Sequence, residues 1–294
     1  MEEKEIIKLK NLLTLEVKGE GSKDLLQGQI TCDMNKIVEK SSSLGALCNT
    51  KGRVISSFIV ILADKNSERR YYLVGDKEMI LKTKQVLTKY SPFYDVNLTT
   101  KSELSYYAVT HNDLSILFPQ INSIKNNTIR LKHNIFLHYL KRKFSLILAK
   151  KDSPLPINFE NSLEDQRIWE LDQINNLNVE ITQEISEKYT PHELNYDLTE
   201  RVDFEKGCYT GQEVVAKMQY RAKKIPRLML AESKNLNLGS NMPVYNENGL
   251  KVGSLVKEVI DQGKSICLIS VKEDFLKKSL TFEKGGKIKP IKQT

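Results

Sequence analysis

The sequence predicts an α+β chain that closes with a small antiparallel β-barrel. Three observations carry this. Up to about residue 100, short apolar and β-branched runs are interleaved with capped segments of helical period. A glycine-bracketed loop runs into an amphipathic helix over 206–221. Beyond Pro226 every periodic segment is short and strand-like, broken by Gly239, by 246–249 and by Asp261-Gln262-Gly263. The resulting division is an α/β core from 1–100 and 161–225, a strand-rich middle piece from 101–160, and the barrel from 226–294.

Taken in order, 13–17 reads as a strand and 19–22 as a turn, with Ser22 capping a short helix whose Leu25 and Leu26 face inward. In the following QGQITCDMNKI, Gln29, Thr31 and Asp33 alternate, which places them on one face of an extended segment. Composition alone describes a polar loop around a helix end. Runs 44–49 and 54–63 form a hairpin turning at Thr50, Lys51, Gly52 and Arg53. A strand at 70–74 leads to Asp76, which caps a helix with Met79, Ile80, Val86, Leu87 and Tyr90 inward; a strand at 94–98 closes the unit. In the middle piece, 104–109, 114–118, 134–137 and 144–149 read as strands and 123–128 as an exposed polar loop. Pro154 and Pro156 then break the chain. Ser162 and Asp165 give a weaker capping pattern ahead of a helix carrying Arg167, Ile168, Leu171 and the sole tryptophan, Trp169, whose default role is core packing. The barrel strands are 228–231, 242–245, 251–259 and 265–271.

The stretch 206–221, KGCYTGQEVVAKMQYR, has the strongest chemical character. Gly207 and Gly211 bracket Cys208 and Tyr209 and permit a sharp loop that projects the thiol. Thr210 and Glu213 match a capping box, so a helix starts near Gly211. Val214, Val215, Met218 and Ala222 face the core at helical spacing, while Glu213, Lys217 and Arg221 share one side. A helix N-terminus close to Cys208, with Lys206 two residues away, favours the thiolate, the nucleophilic and metal-binding form. The opposing reading is a structural cysteine in a tight turn.

Composition narrows the classes. The 294 residues are 40% hydrophobic and 28% charged, as in an ordinary globular protein, and no apolar run reaches membrane-spanning length. The N-terminus lacks the basic start and apolar stretch of a secretion signal, so a cytoplasmic location is expected. The four cysteines (Cys32, Cys48, Cys208, Cys267) include no C-x-x-C pair and are expected to be free thiols. The four histidines form no zinc-type pattern, and no metal site within the chain is expected. Net charge is +8, with six basic residues against Glu213 alone over 206–227, a cluster suited to a polyanion. The lysine-rich tail 277–292 reads as a solvated terminus.

KGCYTGQE matches every fixed position of K-G-C-[YF]-x-G-Q-E, and on it the chain resembles the YgfZ family of folate-binding, GcvT-like iron–sulfur maintenance proteins. The approach PHELNYDLTERVDFEKG resembles that family's P-x-E-x-N-x-D, and QGQITCD and Cys48–Arg53 (C-x-x-K-G-R) are similar to its N-terminal segments. The resemblance implies a GcvT-like multi-domain arrangement around a central cavity, tetrahydrofolate as cofactor, and Cys208 as the activity-linked residue with Lys206 and Tyr209. It implies folate contacts from Gln29, Thr31, Asp33, Lys51, Arg53, Asn195, Gly211, Gln212, Glu213 and Arg221. The implied partners are iron–sulfur proteins or their assembly factors, with an indirect link to tRNA modification. The sequence departs from the pattern at Arg167-Ile168-Trp169-Glu170-Leu171, where related chains read R-I/L-x-x-G. In the aminomethyltransferases a glutamate two residues after the arginine contacts the pterin; that position is Trp169 here. No counterpart of their aspartate beside the reacting folate nitrogen is identified. A tetrahydrofolate-dependent aminomethyltransferase or demethylase is the alternative reading, and an RNA-binding module a third. The charge permits the latter, but no RNP pattern or KH loop is present.

Overall fold

The computed structural model describes residues 6–39, 41–64, 69–110, 128–131, 135–138, 143–150, 162–221, 225–275, 278–283 and 286–291; of these, the side chains of 64, 128–131, 135–138 and 221 are outside the description. The expected strand at 114–118, together with Ala222, Pro154 and Pro156, lies outside the described residues.

The first sheet has the order β3-β4-β5-β2-β6, all antiparallel, from β2 (Leu12–Lys18), β3 (Ser42–Cys48), β4 (Val54–Asp64), β5 (Arg70–Asp76) and β6 (Asn97–Thr100). Strand alternation sends successive side chains to opposite faces. Phe58, Val60, Tyr71 and Leu73 go to one face, under helices α1 (Ser22–Gln29) and α2 (Lys77–Thr88). Ile61, Tyr72 and Val74 go to the other. That second face packs on a second antiparallel sheet, β1-β7-β10-β9-β8, made from β1 (Ile6–Leu9), β7 (Leu104–Thr110), β8 (Thr128–Leu131), β9 (Ile135–His138) and β10 (Phe144–Lys150). The first strand of the chain is thus lent to the middle sheet, with Ile6 opposite Val109.

Helix α3 (Arg167–Asn175) follows, with Asp165 Oδ1 accepting from Arg167 N at 2.9 Å. Residues 177–204, mostly irregular, then run between the first sheet and the barrel. Val179, Ile181, Leu194 and Tyr196 form one core with Ala46 and Val54 of the hairpin and Leu228, Val256 and Leu268 of the barrel. Helix α4 (Gln212–Arg221) precedes the barrel.

Several expectations change. Ser22 does not cap α1; its hydroxyl donates to Arg69 O, and Gly21 holds the N-cap position without a side-chain bond. The strand expected at 94–98 begins only at Asn97, because a 3-10 turn (Ser91–Phe93) with Pro92 carries the chain to Asp95 at φ +51°. Of the loop expected at 123–128, residues 123–127 lie outside the described residues, and Thr128 opens strand β8. The barrel is closed by six strands, β11-β14-β13-β12-β15-β16, from β11 (Arg227–Ser233), β12 (Pro243–Asn246), β13 (Lys251–Asp261), β14 (Lys264–Val271), β15 (Leu280–Phe282) and β16 (Lys287–Pro290). The last two come from the tail expected to be solvated. Leu280, Phe282 and Ile288 are buried inside the barrel, so alternation of lysine with apolar residues there reflects strand pleating.

Candidate functional site

Cys208 is exposed, whereas Cys32, Cys48 and Cys267 are buried. Its exposure follows from how the chain on either side is anchored. A helix leaves its last carbonyls without intrahelical partners, and the motif supplies donors to those of α1. Lys206 Nζ donates to Gln27 O at 2.7 Å and Ile30 O at 2.5 Å. Thr210 N donates to Gly28 O at 3.3 Å, and Thr210 Oγ1 to Gln29 Oε1 at 3.1 Å. Tyr209, buried, lies with its ring 4.9 Å from the Lys206 ammonium, a cation–π contact. Gly207 and Cys208 between these anchors point outward.

The other side of the loop rests on the β3–β4 hairpin. Gly211 has φ +88°, and a Cβ there would collide with Asn49 O. Gly52, φ +68°, faces Val214, whose Cβ would lie 2.9 Å from one added at Gly52. These two reciprocal glycines let the start of α4 dock against the hairpin tip. Gly207 differs: nothing lies within 4 Å of its Cβ position and its φ is not positive.

Among the described residues the expected capping box forms no side-chain cap bond. Thr210 is engaged by Gln29, and Glu213 accepts from Lys217 Nζ at 2.6 Å on the exposed face of α4. Lys206, expected to favour the Cys208 thiolate from two residues away, instead directs its ammonium to two carbonyls and a ring. Burial lowers the Lys206 pKa from 10.5 to about 8, only partly offset by Cys32, Asp33 and Asp203. Burial also raises Tyr209, with a smaller push from Cys48.

The other expected folate contacts disperse. Thr31 is buried and stitches three segments, donating to Arg201 O at 2.5 Å and accepting from Ala46 N at 2.9 Å, while its carbonyl accepts from Asp203 N at 3.0 Å. Asp33 is partly buried, which opposes ionisation, but hydrogen bonds from Asn35 and Gln27 outweigh this and lower its pKa. Lys51 is exposed at the hairpin tip, and Gln212 is half-buried at the first position of α4. Arg53 turns to the 188–193 segment, donating to Lys188 O at 2.7 Å and Glu193 Oε2 at 2.9 Å. Asn195, in left-handed conformation at φ +56°, pairs its side-chain amide with the main chain of Leu228. The Arg221 side chain is outside the described residues.

Among the expected folate contacts whose side chains are described, none lines the cavity between the two sheets, α3 and the barrel. That space, about 160 Å³, has an apolar wall including Leu44, Ile59, Val74 and Leu146. Trp169 closes one side, its ring edge-on to Phe144 at 6.0 Å. The polar wall carries Asp76, Glu170, Gln173, Asn178, Glu180 and Lys257. Asp76 accepts from Met79 N at the start of α2, and burial, reinforced by Glu78 and Glu184, raises its pKa. Glu170 faces Lys257 at 3.5 Å. Glu180 is paired with fully buried Arg201, whose guanidinium also lies over the Tyr196 ring at 4.8 Å. The sequence offered a faint signal here: in Asn178-Val179-Glu180-Ile181-Thr182, polar residues alternate with two buried apolar ones. Among the described residues no group of three or more His, Cys, Asp or Glu could hold a metal ion, and no helix is long and apolar enough to cross a membrane.

No family model matches the chain. It is 29% identical over 226 residues to the tRNA-modifying protein YgfZ of Colwellia psychrerythraea, covering 74% of this chain and 68% of that protein. It is 28% identical over 205 residues to the tRNA-modifying protein YgfZ of Aliivibrio fischeri, covering 69% and 63%. The matched stretch thus spans about two thirds of the length of these curated relatives. Among solved structures, the glycine cleavage system aminomethyltransferase T from Bartonella henselae superposes with a TM-score of 0.77 at 9% identity, covering 99% of this chain and 85% of that one. The fold is GcvT-like, and the relationship to YgfZ proteins inferred from 206–213 extends over some 70% of the chain.

Proposed function

We propose that this homologue of the YgfZ proteins is a folate-binding accessory factor for iron–sulfur cluster assembly or maintenance, acting through Cys208. Its link to tRNA modification is indirect, through cluster-dependent modifying enzymes. The observation that carries the reading is the presentation of Cys208: the exposed thiol among four, held out between anchors at Lys206 and Thr210. An accessible thiolate can ligate iron transiently or attack a disulfide of a partner protein, forming a mixed disulfide and releasing the other sulfur as thiolate. Clusters take four such ligands, so a client or assembly protein supplies the rest, and the cluster is cargo.

Tetrahydrofolate suits the cavity rather than the motif. A pterin is a flat heteroaromatic ring with a polar edge, and the cavity opposes Trp169 and aliphatic side chains to carboxylates and amides. When bound, the folate would supply or scavenge a one-carbon unit. The residues of this chain hold the ring and exclude water from it.

The test is complementation in cells lacking their own YgfZ-type protein, reading an iron–sulfur enzyme under oxidative stress. The intact chain restores activity and Cys208→Ala does not. Equal rescue by both would make the cysteine structural and overturn the proposal. A folate-dependent aminomethyltransferase or demethylase is the second reading, favoured by the GcvT-like fold. Formaldehyde or one-carbon release from a methylated substrate, unaffected by Cys208→Ala, would select it.

A further inference from the structure

Glu180 lies in the irregular segment after α3, yet its carboxylate is fixed from behind by buried groups. Arg201, with a side chain 0% exposed, donates through Nη2 to Oε1, and Ser57 Oγ donates to Oε2 at 2.6 Å. The Glu180 side chain itself is 34% exposed, and it lines the cavity with Trp169 and Gln173. An ionised carboxylate offers about four acceptor sites. Arg201 and Ser57 occupy one on each oxygen, and Asn178 Nδ2 approaches Oε1 only at 3.5 Å. Acceptor capacity therefore remains on both oxygens, in a side chain whose exposed part borders the cavity.

We infer that Glu180 is the recognition group of this cavity, its two oxygens accepting the paired N–H donors of a 2-aminopyrimidinone ring seated against Trp169. Such a ring presents an amino N–H beside a ring N–H, and a carboxylate matches that pair bidentately. The neighbouring carboxylates are placed for other work. Asp76 accepts from the start of α2, and Glu170, 45% exposed, faces Lys257 across 3.5 Å. Neither is fixed by a fully buried cation. The inference deepens the folate reading by naming the residue that selects the ring, and it rests on that reading for the natural ligand.

The experiment is calorimetric titration of the full chain with tetrahydrofolate, its 2-deamino analogue and free 6-hydroxymethylpterin. Losing one charge-assisted bond of the pair weakens binding about 30-fold. Glu180→Gln is expected to bind tetrahydrofolate that much more weakly, and Glu170→Gln within about threefold of the parent. The deamino analogue should lose a similar factor on the parent chain and little more on Glu180→Gln. Unchanged affinity in a folded Glu180→Gln overturns the assignment. Should that variant fail to fold, because Arg201 loses its partner, the parent chain decides: equal affinity for tetrahydrofolate and its deamino analogue overturns it. If the parent binds 6-hydroxymethylpterin but not tetrahydrofolate, the folate reading fails, and Glu180 stands only if Glu180→Gln weakens pterin binding by the same factor; an unchanged pterin affinity overturns it. Binding of neither ends both.

Discussion

Two side chains of the motif do opposite jobs. Cys208 faces solvent, while burial pushes Cys32 up to about 11 and Cys48 and Cys267 up to about 12. Ellman's reagent should therefore titrate one thiol in the native protein, four after denaturation, and none in native Cys208→Ala. A second fast-reacting native thiol would contradict this geometry. Lys206 faces inward. The unfolded chain keeps its proton to about 10.5, whereas the folded one releases it near 8. Between these values the unfolded state holds more protons, so stability rises with pH. Lys206's contribution is fully present above about 10.5 and is lost as pH falls through about 8. The buried cysteines oppose this only above about 9, where unfolded thiols ionise first. Urea unfolding from pH 7.5 to 9 should show a rising stability that Lys206→Met flattens; parallel slopes would refute the assignment. The motif was legible as a sequence pattern, but the destination of Lys206 was not, because its carbonyl partners lie more than 170 positions away.

At the scale of elements, the motif is a wedge between the end of α1 and the β3–β4 hairpin tip. Its glycines are not equivalent. Gly211 combines positive φ with a blocked Cβ position, so Gly211→Ala should destabilise by about 2 kcal/mol or more and slacken the start of α4. Gly207→Ala should stay within about 0.5 kcal/mol, since its Cβ position is open. Thermal unfolding of the two variants separates them, and equal losses would show that the loop needs flexibility at both positions. Periodicity located α2, α3, α4 and the hairpin because each carries a local pattern. It missed β15 and β16, where short strands within lysine-rich sequence gain their apolar partners only from the closing barrel.

For the whole molecule, the organising feature is the core shared by the hairpin, the 177–204 segment and the outer face of the barrel. Leu268, fully buried on β14, sits in it. Leu268→Ala should cost about 2–5 kcal/mol, and Trp169 fluorescence and far-UV circular dichroism should fall together at a lower Tm. A Trp169 midpoint left unchanged would mean that the barrel unfolds alone. This core also accounts for the reach of sequence reasoning. The sequence by itself determined the α+β class, the terminal barrel, the glycine-bracketed cysteine loop and the resemblance that the comparisons uphold. Each of these is written in local spacing: period two, period 3.6, turn residues, or an eight-residue signature. Only the tertiary structure decided that Arg53 and Asn195 pair with main chain and carboxylate elsewhere, and that Lys206 stitches a helix end. Only it gathers Asp76, Trp169, Glu180 and Lys257 around one cavity. Those outcomes depend on which distant segments come to share a buried space. There an unpaired polar group is costly, so each donor and acceptor takes the partner the fold brings within reach.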